Sequence, residues 1–182
     1  ERESFTAAGH SMVNKQKKAG LCIRILAATF ALLTSVEANA GELNRQSFLL
    51  VGEALVEVGP FDLDVYNARY FIRGANATMV ELTYLRDVPR YLSLKGWDKG
   101  FEHIEPDKDF SIAMDWVRSK TPDFKEGDRF AMLVVGATTS LFLNDQLIAK
   151  SDYPNVAKII HSPWIGDEAL DLKIKAQLLG QG

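Results

Sequence analysis

The sequence predicts an α+β domain, an antiparallel β-sheet packed against a layer of helices. Three observations carry that expectation. Segments with two-residue alternation fill the chain from Ser47 to Arg86 and again from Arg129 to Ala149. Two stretches with three- and four-residue spacing lie between those blocks. Short turn signals join successive strands, which favours antiparallel neighbours. A length of 182 residues suits one domain with a real core, and 47% apolar with 25% charged residues excludes a mainly disordered chain.

Residues 1–11 carry no pattern and form an upstream extension. Residues 12–40 read as a signal peptide. Lys15, Lys17, Lys18 and Arg24 supply a basic start, Ile25 to Leu33 an apolar middle, and Ala38-Asn39-Ala40 small residues at the two positions a signal peptidase reads. Nine apolar residues fall well short of the ~20 of a membrane span. A buried amphipathic helix is the competing reading. Cys22, the one cysteine, precedes the apolar run and follows Leu21, which disfavours lipidation. Cleavage after Ala40 would place the protein in the periplasm or outside the cell. The remaining domain, 41–182, then carries a formal −5, no cysteine and no membrane span.

Within that domain, Ser47 to Val58 is strand-like, and Gly59-Pro60 breaks it. Phe61 to Ile72 alternates, with Phe61, Leu63, Val65 and Phe71 on one side and Asp62, Asp64, Tyr66 and Tyr70 on the other. Thr78 to Arg86 is a third strand, rich in β-branched and aromatic types. Arg90 to Ile104 takes helical spacing through Leu94, Trp97 and Phe101. Asp109 is the expected cap of a second helix with a Phe110, Ala113, Met114, Val117 stripe, ended by Thr121-Pro122-Asp123. Strands return at Arg129 to Val135 and Thr139 to Leu143, and Asn144-Asp145-Gln146 turns into Leu147 to Ala149. Asn155 to His161 is a short helix. Glu168 to Leu179 is the last, with Leu170, Ile174 and Leu178 on one stripe.

Several function classes have no support. The net charge of −3 and the lack of a basic stripe argue against nucleic acid. His103 and His161 stand too far apart for a zinc spacing, and no phosphate loop or nucleophile elbow occurs. No metal or cofactor is expected. The sequence leaves the oligomeric state open.

An ordered set of short runs resembles the bacterial chalcone isomerase-like proteins. It comprises Val56-Glu57-Val58-Gly59-Pro60-Phe61, Val65-Tyr66-Asn67-Ala68-Arg69-Tyr70-Phe71, Glu81 to Val88, Gly96-Trp97, Phe124 to Phe130, Leu141-Phe142-Leu143-Asn144, Pro163-Trp164-Ile165-Gly166 and Leu178-Leu179-Gly180. The resemblance implies the chalcone isomerase fold, an open-faced sandwich with a cleft between sheet and helices. In the plant enzymes of that fold an arginine polarises the ketone, helped by a threonine, a tyrosine and an asparagine. The position matching the arginine is Glu53, and that of the threonine is Val65. A carboxylate there would repel the attacking phenolate, and valine donates no hydrogen bond. No Arg or Lys occurs between Gln46 and Tyr66. Chalcone cyclisation by the plant route is therefore not expected, whereas relatives that bind fatty acids make a lipid role plausible.

The candidate ligand-binding residues are Tyr66, Tyr84, Arg86, Trp97, Asn144 and Trp164; no catalytic residue is assigned. Tyr84 and Arg86, two apart on a strand, would share a face. Arg86 could hold a carboxylate, or could instead pair with Asp128. Trp97 and Trp164 could line a cleft or fill core. Asp62 and Asp64 read as solvated acids. The leading expectation is an exported, non-catalytic protein binding a small apolar molecule such as a fatty acid. The alternatives are an isomerase or intramolecular lyase using Tyr84 and Arg86, and a structural envelope component.

Overall fold

A computed structural model describes residues 41–59, 63–105 and 107–182. The upstream extension, the signal peptide with Cys22, and Phe61 and Asp62 of the second alternating run lie outside the described residues.

One sheet runs in chain order through β1 (Leu49–Val58), β2 (Leu63–Arg73), β3 (Ala77–Tyr84), β4 (Arg129–Val135), β5 (Thr138–Leu143) and β6 (Gln146–Ser151). Every neighbouring pair is antiparallel. Helices α1 (Arg90–Gly100) and α2 (Lys108–Lys120) join β3 to β4, and α3 (Pro154–Ile159), α4 (Ser162–Ile165) and α5 (Leu172–Leu178) follow β6. The α+β class and the order of elements agree with the sequence pattern. The β5–β6 connection needs positive φ at both central residues, and Asn144 (φ 50°) and Asp145 (φ 72°) supply it.

Two helix starts differ from expectation. Asp107, not Asp109, caps α2, its carboxylate accepting from Phe110 N at 2.7 Å. A cap must stand outside the first turn and reach back to a free N–H; Asp109 is already inside that turn, where its charge suits the positive end of the helix dipole. The last helix is shorter than its apolar stripe. Asp171 accepts from Lys173 N and Ile174 N and sets the start, so Leu170 precedes the helix and is exposed.

Alternation gives the sheet two buried faces. On the first, Gly52, Ala54 and Val56 stand opposite Tyr70, Ala68 and Tyr66, and Val80, Leu82, Tyr84 and Met132 continue the layer. The helices cover it with Trp97, Ala113, Met114, Val117, Val156, Ile159, Trp164 and Leu178. Gly52 is required here, because a Cβ would lie 2.1 Å from the Gln177 carbonyl oxygen at the end of α5. On the second face Phe71, Met79, Ala131 and Phe142 are covered by the segment 41–48 through Leu43 and Phe48. That segment is tied down by Leu43 N donating to Asp145 O (2.9 Å) and Leu147 N to Gly41 O (2.8 Å).

The second face also buries charge. Glu81 is fully buried and paired with Arg45 and with Arg69 (2.7 Å), while Asp145 is paired with Arg45 and Arg129. On β2 the side carrying Tyr66 and Tyr70 is the side under the helices. Phe71 belongs to the opposite cluster. A register shift between Val56 and Glu57 turns Val65 partly toward the helices.

Candidate functional site

The polar groups of interest collect inside the aromatic layer between sheet and helices. Tyr66 on β2 and Tyr84 on β3 are direct cross-strand partners, so their rings meet edge-on with centroids 5.5 Å apart. Tyr84 stacks on Phe124 at 4.1 Å. From above, Trp164 of α4 donates Nε1–H to the Tyr66 hydroxyl oxygen at 3.1 Å. Trp97 of α1 meets Trp164 edge-on at 5.4 Å. Its own Nε1–H donates to Thr121 Oγ1 (2.9 Å), and that hydroxyl donates to Val117 O (2.8 Å). A buried indole N–H needs such an acceptor, and Trp97 is fully satisfied by the α2 end.

The hydroxyls are less well served. Tyr66 accepts from Trp164, but its proton has no acceptor among the described residues. The Tyr84 hydroxyl has Ser93 as its side-chain hydrogen-bonding neighbour, which opposes part of the effect of burial on the phenol, and the buried Ser93 Oγ meets no partner of ideal geometry among the described residues. Burial pushes the Tyr66 phenol up to about 12. It pushes Tyr84 well above the ordinary tyrosine value, with the Tyr66 and Asp128 charges adding to the effect. Both stay protonated at any physiological pH and serve as donors.

His161 is the other buried titratable group of this layer. Its Nε2 lies 2.8 Å from Met132 O, and since a carbonyl only accepts, that nitrogen carries the proton. Burial lowers its pKa to about 4, so the ring is neutral. Among the described residues no Lys or Arg is buried, and no cluster of His, Cys, Asp and Glu could hold a metal ion.

The remaining candidates lie elsewhere. β3 ends at Tyr84, so Arg86 is off the strand, is exposed, and gives its Nε–H to Asp64 O. Neither a shared face with Tyr84 nor a pair with Asp128 is observed. Asp128 instead accepts from Asn144 Nδ2 (2.8 Å) and Lys125 N (2.7 Å). Asn144 is an exposed turn residue whose Oδ1 also accepts from Arg129 N, at 2.9 Å. It shapes the hairpin. Asp64 is exposed, as a solvated acid should be.

Glu53 and Val65 separate as well. Glu53 pairs in register with Arg69 and points away from the helices, into an open groove of about 550 Å³ lined also by Leu55, Asn67, Arg69, Thr83 and Gln177. A second hollow, of about 610 Å³, lies at Ile104, Glu105, Asp107 and Phe110. None of the six candidates lines either one. The layer holding Tyr66, Tyr84, Trp97 and Trp164 is filled by those side chains.

Two features escaped the sequence reading. Ser93 lies one turn before Trp97, and an i, i+4 spacing puts it on the same buried face; that signal was available. The Arg45–Glu81–Arg69 group was not findable that way, because Arg45 lies in a segment without periodicity.

Comparison with known proteins adds two findings. A family model described as chalcone isomerase-like matches residues 65–180. A solved structure of a fatty-acid binding protein from Arabidopsis thaliana superposes with a TM-score of 0.59 at 13% identity, over 77% of this chain and 90% of that one. That likeness establishes the fold. No curated protein matches the chain.

Proposed function

We propose that this chain, which belongs to the chalcone isomerase-like family, is a non-catalytic binding protein for a small apolar ligand of the fatty-acid type, held between sheet and helices. The observation that carries the reading is the aromatic layer between sheet and helices, into which Tyr66, Tyr84 and Ser93 bring three hydroxyls and where the buried Ser93 Oγ lacks a partner of ideal geometry. Buried polar groups are ordinarily hydrogen-bonded, and a ligand with one polar end and an apolar body would complete them. The fold shared with a fatty-acid binding protein of Arabidopsis thaliana supports the ligand class. Admission of a chain requires Trp97 and Trp164 to part, so binding should change tryptophan fluorescence.

Catalysis of the chalcone isomerase type finds no support in the layer. The helix-facing β1 positions are Gly52, Ala54 and Val56, and none supplies a cation. Arg86, the residue that would polarise an oxyanion together with Tyr84, is spent on a backbone carbonyl outside.

Export is the second half of the reading. Cleavage after Ala40 would leave as first residue Gly41, whose carbonyl oxygen accepts from Leu147 N of β6. The test is expression in a bacterium with residues 12–40 intact, then N-terminal sequencing and native mass spectrometry of the periplasmic protein. A Gly41 start and a co-purified acyl compound are expected. An intact precursor in the cytoplasm would overturn the export reading. No bound lipid, together with no saturable fluorescence change on fatty-acid titration, would overturn the binding reading.

A further inference from the structure

We infer that the site takes its ligand uncharged, as a protonated fatty acid or a neutral acyl ester, and rejects the carboxylate anion. This deepens the binding reading above and rests on it.

The inference comes from the sign of the groups around the hydroxyls. From the sheet, Tyr66 and Tyr84 offer O–H donors; from α1, Ser93 offers another, beside the apolar ring of Trp97; from α4, Trp164 is already engaged with Tyr66. Among the described residues no Lys or Arg is buried, and two cations of the covering helices are held on backbone carbonyls. Arg90 gives Nε–H to Thr121 O (2.9 Å) and Nη2–H to Arg118 O (2.8 Å), and Lys175 donates to Gly166 O (2.7 Å). Arg69 points to the opposite face and holds Glu81. His161 is held as a neutral ring on Met132 O. The charge felt at Tyr84 is negative: Asp128 acts on it electrostatically, and its backbone carbonyl accepts the Tyr84 N–H at 2.9 Å.

A carboxylate moved from water into such a layer would lose its hydration and meet no counter-charge, and a buried unpaired ion is disfavoured far more than a buried carbonyl. A carbonyl oxygen needs only donors, and donors are what the layer has. Ser93 and Tyr84 together could satisfy both lone pairs of one such oxygen.

The test titrates the purified full-length protein with decanoic acid and with methyl decanoate, from pH 6 to 8, by tryptophan fluorescence and calorimetry. In the folded protein the His161 ring stays neutral across this range, since burial lowers its pKa to about 4. If only the protonated acid binds, its apparent Kd should rise about tenfold per pH unit, because the neutral fraction falls tenfold. The ester Kd should not change with pH. Tyr84→Phe keeps the ring on Phe124 and removes one donor, and with Ser93→Ala it should weaken the ester about tenfold. An acid Kd that is flat with pH, or tighter than that of the ester at pH 8, would overturn the inference and leave the binding reading standing. Ester binding unaffected by the double substitution would also overturn it. If neither ligand binds, the binding reading itself fails.

Discussion

His161 should make the protein sensitive to mild acid. The ring is buried, its Nε2–H is given to Met132 O, and its pKa is lowered to about 4 from an ordinary value of 6.5. The sign follows from proton counting. Above pH 6.5 neither folded nor unfolded chain protonates this ring, and His161 contributes no pH dependence. As the pH falls from 6.5 toward 4, the unfolded chain takes up a proton that the folded chain refuses, and stability is lost. With 1.36 kcal/mol per unit, the loss between pH 7.5 and 4.5 is about 2.5 kcal/mol. The perturbation is His161→Gln, which keeps a donor for Met132 O and does not titrate. Urea unfolding at both pH values and constant salt gives the difference for each protein. The wild type should lose about 2.5 kcal/mol more than the variant. Equal losses, within about 0.5 kcal/mol, would refute the argument, because acid destabilisation would then belong to other groups.

Two further predictions concern the packing that frames the site. Glu81→Ala should destabilise by about 3–5 kcal/mol, since it leaves Arg45 and Arg69 facing each other over a buried position without their shared anion; denaturant midpoints measure it, and Arg45→Ala should cost less because Arg69 still holds Glu81. Gly52→Ala should cost at least about 1–3 kcal/mol by overpacking, because its Cβ would meet the Gln177 carbonyl at 2.1 Å. Thermal unfolding reads that loss, and faster amide exchange in α5 should accompany it if the helix is pushed off β1.

Much of the fold was legible because local periodicity and burial agree. The Ala113, Met114, Val117 stripe of α2 is buried as its spacing requires, and the Asn144-Asp145 turn closes the hairpin its composition suggests. What periodicity could not reveal is which side of β2 faces the helices. Both sides of that strand are covered, one by helices and one by the segment 41–48. The apolar side and the tyrosine side therefore compete for the same role. Tyr66 and Tyr70 take the helix side, while Phe71 packs with Leu43 and Phe48 on the other. The site was legible only in part for a related reason. Tyr66, Tyr84, Trp97 and Trp164 do converge. Arg86 and Asn144 do not, because strand β3 ends two residues before Arg86 and Asn144 is consumed by its turn.

The missing arginine is a property of a face rather than of one residue. Stabilising a developing oxyanion requires a fixed cation aimed at it, and in a sheet only every second residue of a strand can aim into a given layer. On β1 the residues aimed at the helices are Gly52, Ala54 and Val56, so moving the comparison by one position from Glu53 restores nothing. Two β-strand cations do lie near the middle of the sheet, Arg69 and Arg129. Both are turned to the other side, where Glu81 and Asp145 neutralise them under the segment 41–48. These two strand cations thus lie on the face turned away from the helices. Among the described residues no Lys or Arg is buried in the layer between sheet and helices, so the fixed cation of the plant route has no counterpart there. If the ligand proposed above enters this layer, the same partition would have it meet neutral donors rather than a fixed cation.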